Sequence, residues 1–150
     1  MQTLANKLAP YAPTALRVAL GLVFLLHASM KLFVYTLPGT GAFFAQHGFP
    51  AWTAWPVFLA EAVGGVALIA GLGTRYVVLV LVPIMVGAIK PHLANGAAFD
   101  SPGGGYEMPM LVLVLLGVQF ALGSGAWAID NVIGARTGRN PARGSVITAA

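Results

Sequence analysis

The sequence predicts an all-α fold: an integral membrane bundle of four transmembrane helices, with a short interfacial helix in the first long connection. Three observations predict it. Of the 150 residues, 58% are hydrophobic and only 8% are charged, and a mean hydropathy of +0.83 leaves too little polar surface to coat a water-soluble globule of this size. The apolar residues collect into four runs, 12–33, 55–72, 76–89 (extending to Lys90) and 108–129. Each is near the ~17 to 25 residues that carry a helix across a hydrocarbon core of about 30 Å, the third being the shortest. None shows the alternation of a barrel strand, so helices that satisfy their own backbone groups are the expected form.

The first run has Lys7 and Arg17 ahead of its apolar core and Ala28 and Ser29 behind it, the outline of a signal peptide. Lys31 interrupts the small-residue cleavage pattern and three more spans follow, so the run is read as a retained first helix. The connection 34–54 contains Gly41-Ala42-Phe43-Phe44-Ala45-Gln46-His47-Gly48, then Phe49-Pro50 and the pair Trp52 and Trp55. That pattern fits a short interfacial helix, with the tryptophans marking the headgroup boundary where the second span begins. The second and third spans meet in the tight turn Gly71-Leu72-Gly73-Thr74-Arg75. Pro83 is expected to kink the third helix and Pro91 to end it. The connection 91–107 is rich in glycine and turn residues, and reads either as a flexible hairpin or as backbone that approaches a ligand. Glu107 opens the fourth helix, where a carboxylate is favoured by the helix dipole.

Lys7, Arg17, Arg75, Arg136, Arg139 and Arg143 all fall on one side of a four-span chain. The positive-inside rule then places both termini in the cytoplasm and the two long connections outside. The chain divides into a transmembrane domain, 1–130, and a basic tail, 131–150, too poor in apolar residues to fold alone and suited to anionic lipid. There is no cysteine, which excludes a disulfide framework and a thiol relay. The basic residues have no aromatic or motif support for nucleic-acid binding, so membrane lipid is the partner they imply.

Against this apolar background a few polar residues stand out. His27 and Lys31 are four residues apart and share a helix face, with Arg17 about 40° from Lys31 at roughly 100° per residue. Lys31 either snorkels to the boundary or pairs; His27, a turn deeper, either donates to a carbonyl of a neighbouring helix or serves a ligand. Glu61 is the strongest candidate, because an acid within a span costs several kcal/mol, on the order of magnitude of any buried charge, unless it is paired or protonated. Lys31 and His27 are its expected partners, and Ala60, Gly64, Ala67 and Gly71 are small residues suited to close helix packing. Gln119 is a lone amide expected to join helices. Haem ligation by His27 and His92 is a weaker reading, and metal binding by Glu61, His27, Glu107 and His92 lacks a ligand spacing, so no metal is expected.

His27-Ala-Ser-Met-Lys31-Leu-Phe33, the loop 41–50, Ala60-Glu61-Ala-Val-Gly64-Gly65 running to Gly71-Leu-Gly-Thr74-Arg75, and Asn95-Gly96 with Gly104-Gly105-Tyr106-Glu107 together resemble the DoxX family of small bacterial membrane proteins, over about residues 16–130. The resemblance implies a four-helix protein of the bacterial inner membrane linked to redox metabolism, similar to membrane subunits of thiosulfate:quinone oxidoreductases or to partners in oxidative-stress complexes. A quinone needs an apolar slot, a donor for each carbonyl and a proton carrier. His27, Lys31 and Glu61 supply such chemistry as catalytic candidates, with His92 and Glu107 added as candidates for binding the cofactor. With no electron carrier evident, a redox partner protein or subunit is implied. The alternatives are a non-catalytic scaffold that recruits partner proteins, and a proton or small-solute path, which four helices would enclose only as a homo-oligomer.

Overall fold

The computed structural model describes residues 2–136, all of whose regular structure is helical. The order is α1 (Gln2–Leu8), a 3-10 turn (Ala9–Tyr11), α2 (Ala12–Ser29) continued by a π-helical segment (Met30–Val34), α3 (Leu37–Gln46), a 3-10 turn (Ala51–Thr53), α4 (Ala54–Ala70), α5 (Thr74–His92) with a 3-10 end (Leu93–Asn95), α6 (Glu107–Leu122) and α7 (Ile129–Arg136). Three helical segments are long and apolar enough to cross a membrane: Thr3–Val34, Ala51–Ala70 and Thr74–Asn95. The fourth, Glu107–Leu122, is apolar but has 16 residues.

α2, α4, α5 and α6 alternate in direction and form a ring in which α2 packs on α4 and α6, and α5 on α4 and α6. Each helix contributes to one core, made of Leu20 and Phe24, Leu68, Val78 and Leu81, and Val112 and Leu116. The outward faces carry Leu22, Leu26, Val63, Val66, Leu79 and Val114, each more than half exposed, as a surface solvated by lipid requires. Between lipid tails and leucine there is little hydrophobic driving force, so close backbone approach must hold the helices together. The α2–α4 crossing shows it: a Cβ on Gly21 would lie 2.7 Å from the Gly65 carbonyl oxygen, and one on Gly65 2.9 Å from that of Gly21. The small residues of α4 divide their work. Gly65 meets α2, Gly64 meets Val77 and Leu81 of α5, and Ala60 and Ala67 line outward grooves.

Three boundaries differ from the sequence reading. The fourth helix stops at Leu122 rather than near 129, because Gly123 takes φ 76° and the Gln119 side chain donates to the Gly123 carbonyl at 2.6 Å. Gln119 therefore caps its own helix instead of joining two. α5 runs through Pro91 to His92 and on into the 3-10 turn Leu93–Asn95, so the proline does not itself end the helix. α7 continues past residue 130 to Arg136, while the rest of the expected tail, with Arg139 and Arg143, lies outside the described residues. The interfacial helix is present as α3. It packs on the 51–53 turn and the start of α4, at the end of the bundle that carries the two long connections.

Candidate functional site

Lys31 and Glu61 meet inside the bundle. The Lys31 ammonium donates to both carboxylate oxygens, at 2.9 Å to Oε1 and 2.7 Å to Oε2. Glu61 is 4% exposed, and the Lys31 side chain 15%. Glu61 lies near the midpoint of the 20-residue segment Ala51–Ala70, deeper than a position at one membrane face. Lys31 sits nearer its helix end and reaches back toward the α2 N-terminus, the direction in which helical side chains lean. It belongs to the π-helical segment, where the Tyr35 amide reaches the Met30 carbonyl at 2.9 Å, a widened turn of the kind common at functional positions. Beyond it Thr36 adopts φ 60°, rare for a residue with a side chain. The Thr36 hydroxyl accepts from the Gly39 amide and its carbonyl accepts from the Thr40 hydroxyl, which holds α3 beside the ion pair's end of the bundle.

His27 is exposed on α2, and within coulombic reach of Glu61. Its Nδ1 donates to the Val23 carbonyl of its own helix at 2.8 Å, not to a neighbouring helix as the sequence suggested. The other candidates lie elsewhere. His92 Nδ1 donates to the Gly104 carbonyl at 2.9 Å, and the Glu107 carboxylate accepts from the Phe99 amide at 3.0 Å. Together with Asn95, which donates to Gly103 and Gly104, these residues close the second long connection on itself. The structure thus brings Lys31 and Glu61 together with His27 nearby, and gives His92 and Glu107 loop-internal partners. Lys90 lies 4.8 Å from the centre of the Phe49 ring. Among the described residues no group of three or more His, Asp or Glu side chains is placed to hold a metal. A groove of about 410 Å³ on the outward face of α4, lined by Ala62, Val63, Val66, Ala67, Ala70 and Leu72, offers hydrocarbon contact only and stands apart from the ion pair.

A second polar cluster, at the opposite end, went unread in the sequence. Arg17 is not a flanking surface charge but 1% exposed. Its Nη1 donates to the Leu68 and Ile69 carbonyls at 2.7 and 2.6 Å, and its Nη2 to Ala126 and Trp127, both at 3.4 Å. The Leu68 carbonyl also receives the Gly71 amide at 3.1 Å, and the Ile69 carbonyl lies in the last turn of α4, where no amide of the helix follows to meet it. Asp130 accepts from the Gly73 and Thr74 amides and the Ser124 hydroxyl, while its own amide donates to the Gly71 carbonyl. The signal that could have found this cluster was Arg17's place on the stripe of His27 and Lys31. The carbonyls that Arg17 meets and the amides that Asp130 accepts from had no local signature.

The family model DoxX matches residues 12–95. A protein of Bacillus subtilis (strain 168) named "Putative oxidoreductase CatD" is 30% identical over 131 residues, which is 83% of this chain and 89% of that protein. No solved structure matches. The matched family segment holds α2 to α5, including Lys31, Glu61 and the Gly21–Gly65 crossing, and on this evidence the chain belongs to the DoxX family.

Proposed function

We propose that this DoxX-family chain is a membrane component of a quinone-linked redox system in the bacterial inner membrane, with the Lys31–Glu61 pair as its polar site. The name of the Bacillus subtilis relative supports the redox part. The observation that carries the site is an acid and a base hydrogen-bonded to one another deep in an apolar span, where ionisable groups are costly and are kept for a task. The pair's chemistry fits a quinone. Two of the three Lys31 N–H groups are spent on Glu61, which leaves one donor for a carbonyl oxygen. Glu61, once its partner turns to a ligand, is able to hold a proton at its carboxylate. Electrons must come from a partner subunit or bound group, since the side chains near the pair carry none. The long connections are assigned to the outside and both termini to the cytoplasm, on the charge distribution.

A second reading has its own support: the pair joins α2 to α4 and so fixes their register, as a scaffold that recruits partner proteins would need. Quinone content separates the two. Protein purified in native membrane discs should carry quinone above the bulk-lipid level, and Glu61→Gln and Lys31→Met should lose that enrichment. Wild-type protein with no enrichment would leave the scaffold reading standing.

A further inference from the structure

The His27 ring poses a question that the ion pair does not answer. A carbonyl only accepts, so the 2.8 Å contact from Nδ1 to the Val23 oxygen places the ring proton on Nδ1. In the neutral imidazole Nε2 is then a bare lone pair. Among the described residues the ring's one hydrogen bond is that to Val23. His27 is exposed on a helix whose Leu22 and Leu26 are also more than half exposed, so the medium that meets it is hydrocarbon, which has no donor to offer. Nor does α4 cover it: Gly21 and Leu25 face Gly65, and His27 lies about 120° around the helix from Gly21. One turn further along the same face, Lys31 keeps one N–H beyond the two given to Glu61 and is partly open.

The side chains that carry this acceptor and this donor therefore leave one helix face about 6 Å apart, Cβ to Cβ, His27 exposed and Lys31 partly so. We infer that His27 receives a hydroxyl group from a ligand that enters sideways out of the bilayer, and that the ligand bound here is the hydroxyl-bearing, reduced form of a lipid-soluble quinone. The inference rests on the quinone-linked reading above. It adds a direction and a selectivity: a phenolic O–H donates to His27 Nε2, a second oxygen accepts from Lys31, and the aliphatic tail stays in hydrocarbon. The oxidised form offers only carbonyl acceptors, and it leaves the His27 lone pair unmet.

The test is equilibrium binding to the full chain in phosphatidylcholine nanodiscs, with a decyl-substituted benzohydroquinone, its dimethyl ether and the matching benzoquinone as probes. Wild-type protein should bind the hydroquinone at least tenfold more tightly than either of the others. His27→Phe should erase that preference, and His27→Gln, whose amide oxygen still accepts, should keep part of it. Equal affinity of wild type for hydroquinone and dimethyl ether overturns the inference without any variant having to fold. So does an unchanged preference in His27→Phe; in both cases the quinone-linked reading survives. If wild type binds none of the three probes, the reading itself fails and the inference with it.

Discussion

Lys31 and Glu61 illustrate how a membrane interior changes the meaning of a charged side chain. In water an exposed ion pair contributes little. Here each partner is the reason the other is tolerated, because a lone ammonium or carboxylate at that depth has neither water nor a counter-charge. Truncating one partner should therefore cost more than removing both. Lys31→Met is expected to destabilise the protein by about 3–5 kcal/mol, with Lys31→Met/Glu61→Leu recovering most of that loss. Unfolding in mixed detergent micelles checks this, and a double variant no better than the single one would mean that the pair does not couple as its geometry demands. Arg17 follows the same rule by other means. Its guanidinium meets carbonyl oxygens of α4 and of the 126–127 segment, a planar fork of donors that a lysine cannot reproduce.

The helices show the same economy of close contact. At the α2–α4 crossing the two backbones touch through Gly21 and Gly65, and any side chain at either would meet a carbonyl oxygen. Gly65→Ala is expected to force α2 and α4 apart and cost about 1–3 kcal/mol. Gly117 of α6 is the control, since a Cβ there meets nothing within 4 Å. Gly117→Ala should be neutral or stabilise by up to about 1 kcal/mol, through helix propensity alone. Similar effects for both substitutions, in paired denaturation curves, would argue against the crossing as the point of closest packing.

For the whole molecule, the two ends of the bundle are built differently. At one end the segment after α6 crosses the ends of α2, α4 and α5. It is held there by Arg17, by Thr14 donating to Ala126 at 2.6 Å, and by Asp130 capping the start of α5. At the other end α3 and the second long connection lie over the bundle, each bonded mainly within itself. In the proposed topology this latter end faces the outside. The chain has no cysteine, so single introduced thiols report orientation without background. Asp100→Cys should react with a membrane-impermeant maleimide in intact cells, and Lys7→Cys only after lysis; the reverse pattern would invert the topology.

What could be read from the sequence alone was whatever depends on composition and local order. The all-helical membrane bundle follows from four apolar runs and from the backbone's need for internal hydrogen bonds in lipid. The interfacial helix follows from the 41–50 pattern, and the approach of Lys31 to Glu61 follows from two costly charges in adjacent spans with few other partners. The resemblance to the DoxX family rested on short motifs in order, and the family match confirmed it. Local signals also misled. Arg17 looked like a flanking charge, because nothing nearby in sequence shows the carbonyls that receive it 51 and 52 residues away. The loop-internal bonds of His92 and Glu107 were equally invisible, since the Gly104 carbonyl and the Phe99 amide carry no mark in the sequence. Beyond that one pair, only the tertiary structure decided which of the scarce polar groups meet. A hydrogen bond joins positions in space, and in a bundle of antiparallel helices those positions are set by crossing points such as Gly21 and Gly65, which no local pattern specifies.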